Sequence, residues 1–169
     1  MSKIWNKLVR ESTCDYVVIM DSDAFVPKLD PCWLTRCMET FEKYPDCDVV
    51  SPMLDRIGFA QQRASVAKDK PPEKMIDEFA NTCAVFKKEA FERVGYYDED
   101  FLFYGSDSEW AWRFIRSKAC VGYLRPDIIV HHEHHYSAKK AAAKQKYQSV
   151  AEREYAINLY KQKTNNKSL

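Results

Sequence analysis

Five consecutive apolar residues, Tyr16-Val17-Val18-Ile19-Met20, stand between Asp15 and Asp21, and a second apolar run extends from Cys47 to Met53. Both are short and lack alternation, the pattern of strands covered on both faces. Ahead of the first run, Ile4, Trp5, Leu8 and Val9 recur at helical spacing within residues 3–12, which predicts an amphipathic helix feeding the strand. Asp30-Pro31 offers an N-cap and a first-turn proline for a helix running to Lys43, where Tyr44-Pro45 stops it. Phe79 to Phe86 reads as strand, Lys88 to Val94 as a short helix ended by Gly95, and Ser106 to Lys118 as a longer helix carrying Trp110, Trp112, Phe114 and Ile115. Two short strands are predicted near Val121 to Leu124 and Ile128 to His131.

From Leu54 to Asp77 the pattern dissolves into Gln61-Gln62-Arg63, Lys68-Asp69-Lys70 and Pro71-Pro72, too polar and too broken for a core, so a mobile loop or small insertion is expected. After Ser137, Ala, Lys, Gln and Tyr dominate. They predict a long helix that docks loosely through Tyr147, Val150, Ala151, Ile157 and Tyr160 and frays over Thr164 to Leu169. No internal repeat is present. The expected architecture is a mixed α/β sheet flanked by helices over residues 1–136, with a helical extension over residues 137–169.

Composition narrows the partners. Lys plus Arg number 26 against 25 for Asp plus Glu, and a net charge of +1 gives no footprint for nucleic acid or a membrane surface. The six cysteines form no C-x-x-C pair and read as small reduced hydrophobes, which predicts a cytoplasmic protein. No apolar run approaches the roughly 18 residues that cross a bilayer, and no signal-peptide core opens the chain.

Candidate chemistry begins at Asp21-Ser22-Asp23, at the carboxyl lip of the first strand, where α/β sheets collect ligands. One residue separates the acids, so both can reach a hard cation through oxygen. An acidic turn closing the strand is the plain alternative. All four histidines fall within His131-His132-Glu133-His134-His135 at a later strand end, where they can complete the ligand set of a divalent metal or form a solvated polar turn. Asp98-Glu99-Asp100 forms a further acidic run. Asp107 and Glu109 open a helix, as dipole-favoured charges do, and Asp107 also suits a general base for a hydroxyl within hydrogen-bond reach.

Taken in order, four blocks carry a resemblance. Asn6, in Trp5-Asn6-Lys7-Leu8-Val9, stands 15 positions before Asp21, and Asp15-Tyr16 leads into the D-x-D strand, with Cys14 where a glycine is usual. Thr82 to Lys88 followed by Glu89-Ala90-Phe91-Glu92-Arg93-Val94-Gly95-Tyr96-Tyr97-Asp98-Glu99 is similar to a run of small and apolar residues followed by R-R-E-A-F-E-x-V-G-G-F-D-E. Phe101 to Arg113 is similar to F-F-x-x-x-E-D-x-D-W-x-x-R, with Ser106 in place of the first acid, and Gly122-Tyr123-Leu124-Arg125-Pro126 with Ile128-Ile129-Val130-His131 is similar to G-x-x-x-Y-x-P … V-V-x-H. In this order the blocks resemble the family 2 glycosyltransferases of the GT-A fold, which are Rossmann-like.

The resemblance implies a metal-dependent inverting glycosyltransferase that moves a sugar from a nucleotide-diphosphate sugar to an acceptor hydroxyl, on a glycan or another molecule. It implies that Asp21 and Asp23 hold a divalent metal, Mn²⁺ or Mg²⁺, and the donor's diphosphate and ribose. Asp23 is the stronger metal ligand, His131 the later ligand with His132 as the alternative, and Asp107 the catalytic base. The match spans roughly Trp5 to His132 and leaves out the family's nucleotide-base strands, so a truncated GT-A sheet is expected, with the outer edge of Tyr16 to Met20 open. A shorter sheet with a weaker donor pocket, a second copy or partner chain over that edge, and an incomplete fragment are the three expectations. A non-catalytic binding or assembly module and a metal-dependent hydrolase are the competing functions. The loop from Leu54 to Asp77 is the candidate for acceptor choice.

Overall fold

The computed structural model describes residues 1–102, 104–133 and 148–165. In chain order the elements are α1 (Ser2–Glu11), β1 (Tyr16–Met20), β2 (Ala24–Phe25), α2 (Trp33–Lys43), β3 (Cys47–Leu54), β4 (Glu73–Lys74), β5 (Cys83–Lys87), α3 (Glu89–Val94), α4 (Ser106–Ser117), β6 (Val121–His132) and α5 (Gln148–Asn165). They make an α/β protein with one mixed sheet in the order β1-β5-β3-β6-β2, and β4 pairs with β6 off that path. The boundary after Tyr136, His134, His135 and Tyr147 lie outside the described residues.

The apolar run at β3 becomes the centre of the sheet and is buried at every position. It runs antiparallel to β5 and parallel to β6. Because β1 is in turn antiparallel to β5, strands β1, β3 and β6 all point the same way. Their carboxyl ends therefore share one edge of the sheet. On one face, Cys37 and Phe41 of α2 pack on Cys47, Val50, Val85 and Ile128. On the other, Phe91, Trp110 and Phe114 of α3 and α4 pack on Val49, Phe86 and Leu124, with the Trp110 ring edge-on to Phe86 at 5.5 Å between centroids.

Several expectations are corrected. Strand β1 is not covered on both faces: it ends the sheet, so Ile19 is buried while Val18 and Met20 are 44% and 48% exposed. Among the described residues no strand pairs with its outer edge. Helix α1 buries Ser2, Asn6 and Val9, not Ile4 and Leu8, which face outward. The reason is backbone satisfaction. Asn6 donates to the Tyr97 carbonyl at 2.8 Å and accepts the Tyr97 N–H at 2.9 Å, and Ser2 donates to the Phe101 carbonyl at 3.0 Å, so polar side chains dock the helix on an irregular segment.

Asp30-Pro31 precedes α2 rather than opening it. Arg36 reaches back from the helix to the Asp30 and Pro31 carbonyls, each at 3.0 Å. The polar segment after β3 also contributes to the core. Gln62 is fully buried, donating to Ser51 Oγ at 2.9 Å and accepting the Ala80 N–H at 2.8 Å. Met75 beside β4 is buried as well. The two strands expected after Val121 are one, with a register shift against Pro52 and Met53 that absorbs the bulge around Pro126.

A buried carboxylate and its half-buried partner are structural. Arg113 forks onto Glu109 at 2.8 and 2.9 Å and donates to the Val94 and Tyr96 carbonyls, which clamps the turn at Gly95, whose φ of 93° favours glycine. Helix α5 is tied by polar contacts: Tyr160 donates to Glu78 at 2.8 Å, and Lys163 bonds Asp98 and Asp100. Among the described residues no helix is long and apolar enough to cross a membrane.

Candidate metal centre

The shared carboxyl edge gathers the chemistry. Asp21 follows β1, and its N–H donates to the Thr82 carbonyl at 2.8 Å, while the Ala24 N–H closes a turn onto the Asp21 carbonyl at 3.1 Å. That turn delivers β2 to the end of β6, pairing Ala24 with His132 and Phe25 with His131. The Glu133 N–H then donates to the Asp23 carbonyl at 3.0 Å. The acidic loop and the last residues of β6 are thus stitched together by backbone.

Asp21, Asp23 and His132 each place one ligand atom so that all lie within 4.8 Å of one another. The His132 Nε2 stands 3.3 Å from an Asp23 oxygen and 3.8 Å from an Asp21 oxygen. The imidazole is buried and the two carboxylates are half-buried. Two carboxylate oxygens and one imidazole nitrogen fit a divalent first-row cation such as Mn²⁺. Mg²⁺, which prefers oxygen alone, fits this set less well.

His131 is not brought to this cluster. Neighbours on a strand point to opposite faces, and the His131 ring turns away to hydrogen-bond through Nδ1 to Asp55, with Phe25 alongside at 6.2 Å between centroids. The expected order of the two histidines is therefore reversed, with His132 at the acidic pair. The other Asp55 oxygen accepts the His132 backbone N–H at 3.0 Å. Burial works against the Asp55 charge, but the bonds from His132 and His131 outweigh it and hold the carboxyl below its usual range.

Asp107 stands outside the three-residue cluster, on the first turn of α4 after Gly105, whose φ is 85°. Burial raises its carboxyl above the ordinary aspartate value, against bonds from its own N–H and from Ser108. Tyr97 is buried beside Asn81. Its hydroxyl accepts from Asn81 Nδ2 at 2.8 Å and is raised well above the usual tyrosine range by burial, then by the charge of Asp107 and, less strongly, of Asp21. Asn81 adjoins Thr82, whose carbonyl accepts from Asp21, so Asn81 and Tyr97 form a buried pair beside the acidic loop. The acidic run Asp98 to Asp100 is taken up by Lys163, Asn6 and Arg10.

Asp55, Asn81 and Tyr97 are the residues that sequence reasoning missed. Asp55 had a legible signal, since it follows the β3 run just as Asp21 follows β1. An open pocket of about 340 Å³ beside Glu39, Lys43, Lys70 and Arg125 includes none of the centre's residues. Comparison with models of known protein families and with curated proteins gave no match.

Proposed function

We propose that the chain carries the metal and acceptor part of an inverting glycosyltransferase, moving a sugar from a nucleotide-diphosphate donor to an acceptor hydroxyl. The observation that carries this reading is the Asp21, Asp23 and His132 cluster at the carboxyl edge of the sheet. The ordered blocks from Asn6 to the β6 histidines support it, and so does the raised carboxyl of Asp107.

In this reading Asp21, Asp23 and His132 hold the cation, Mn²⁺ ahead of Mg²⁺. Bound there, it supplies positive charge that compensates the diphosphate leaving group. Asp107 receives the acceptor's proton on its carboxylate as the acceptor oxygen bonds the anomeric carbon, and the diphosphate departs from the opposite face with the bonding electron pair. A carboxylate with a raised pKa is a stronger base for that step. We place the protein in the cytoplasm, on the reading of its cysteines as small reduced hydrophobes without a C-x-x-C pair.

Calorimetry with a panel of nucleoside diphosphates, with and without Mn²⁺, tests the reading. Binding that requires Mn²⁺ supports it. Absence of binding at millimolar nucleotide in both conditions overturns it in favour of a binding or assembly module.

A further inference from the structure

Two adjacent histidines of equal chemistry end β6, and only one faces the acidic pair. The ladder that holds β6 to β3 ends at Val130, and beyond it β6 pairs with β2 over two residues only, Ala24 with His132 and Phe25 with His131. A slip of one residue would exchange the two rings, because side chains alternate along a strand. Past the end of the β3 ladder, something further holds the phase of these two residues.

Asp55 meets that need. Its own position is set at the end of β3, where its N–H donates to the Val130 carbonyl at 3.2 Å and Leu54 is in register with Val130. Leu54 is itself held, donating to the Gln62 carbonyl at 2.9 Å and accepting the Ala64 N–H at 3.0 Å. From this anchored base, one carboxylate oxygen takes the His132 N–H and the other takes the Nδ1 proton of His131. Both bonds form together in one register only. In the slipped arrangement the ring and the N–H would belong to the wrong residues.

We infer that Asp55 is the positioning residue of the metal centre, a carboxylate that locks the end of β6 so that His132, and not His131, presents its imidazole to Asp21 and Asp23. Resting on the metal-binding part of the proposed function, the inference adds a residue outside the ligand set. The Asp55 carboxylate holds a ligand's backbone and a competing imidazole at once, so its loss frees both. Supports of this kind alter metal affinity by about 10–100-fold.

The test is Mn²⁺ titration calorimetry on the full chain and on Asp55→Ala, Asp55→Asn, His131→Ala and His132→Ala, with imidazole ¹H–¹⁵N spectra of the metal-free proteins. Wild type is expected to bind Mn²⁺ and to show His131 as the Nδ1–H tautomer. Asp55→Ala is expected to bind about 10–100-fold more weakly and to lose that tautomer signal. Asp55→Asn keeps the shape but cannot accept both protons, and is expected to shift both readouts the same way; it serves where the alanine variant does not fold. His132→Ala is expected to lose more affinity than His131→Ala. A folded Asp55 variant that binds Mn²⁺ as tightly as wild type overturns the positioning role alone. A wild-type chain that binds no Mn²⁺ overturns the metal reading beneath it.

Discussion

Two carboxylate sites border strand β6 and differ in their counter-charges. Near its bulge, Asp127 takes Arg125 at 2.8 and 2.7 Å and Arg36 at 3.0 Å, while Arg125 also donates to Thr40 at 3.1 Å and to the Arg36 carbonyl. Guanidinium keeps its charge at every accessible pH, so each anion there already faces a fixed cation. At the carboxyl end, Asp21 and Asp23 face the His132 imidazole, which is charged only when protonated. The same residue type beside one strand thus serves two purposes. With arginine partners it locks a bulge between α2 and the sheet, and with an imidazole partner it leaves a donor set suited to a cation.

The largest expected effect lies at a third carboxylate. Asp107→Asn should leave Mn²⁺ and nucleotide binding intact while lowering transfer by about 10²–10⁴-fold, the usual weight of a general base, as single-turnover assays would show. On the proposed reading the active form is deprotonated, and burial raises the pKa, so transfer should fall with decreasing pH already above the ordinary aspartate range, and a pH profile of kcat checks the position of that limb.

The next pair separates the two clusters directly. Asp127→Ala should lower unfolding free energy by about 3 kcal/mol, since it strips a partner from partly buried arginines, and should leave Mn²⁺ affinity alone. His132→Ala should do the reverse, weakening Mn²⁺ binding by at least about tenfold with little loss in denaturant midpoint. Acid sharpens the contrast. Burial opposes the Asp127 charge, but Arg125 and Arg36 hold its folded pKa below the unfolded value, so its contribution is present above the unfolded pKa of about 3.9 and is lost as pH falls through the folded one. Wild type should therefore lose more stability than Asp127→Ala between neutral and strongly acidic pH, measured by urea unfolding.

A neutral buried network and a surface tie give smaller effects. Gln62→Ala leaves the buried Ala80 N–H without its partner, removes the bond to Ser51, and should cost about 1–3 kcal/mol in chemical denaturation. Lys163→Ala releases Asp98 and Asp100 near the surface and should cost at most about 1 kcal/mol in the same measurement.

These clusters also show what could be read from the chain itself. Asp21 and Asp23 were legible because their signal is local, two acids closing an apolar run. The extent of β3 was legible for the same reason, since a fully buried strand leaves an unbroken apolar stretch. The choice between His131 and His132 was not legible, because it depends on pairing with Ala24 and on Asp55, far apart in sequence. Gln62 looked like loop for a similar reason: its partners come from Ser51, Pro52 and Ala80. The outward turn of Ile4 and Leu8 follows from Asn6 answering the Tyr97 backbone, a demand that hydrophobic spacing does not register.

The most direct measurement of the central claim is anomalous diffraction at the manganese edge from crystals soaked in Mn²⁺. The account predicts a peak bonded to Asp21, Asp23 and the His132 Nε2, with His131 still on Asp55. A peak on His131 instead, or none near the acidic pair at saturating Mn²⁺, would contradict it.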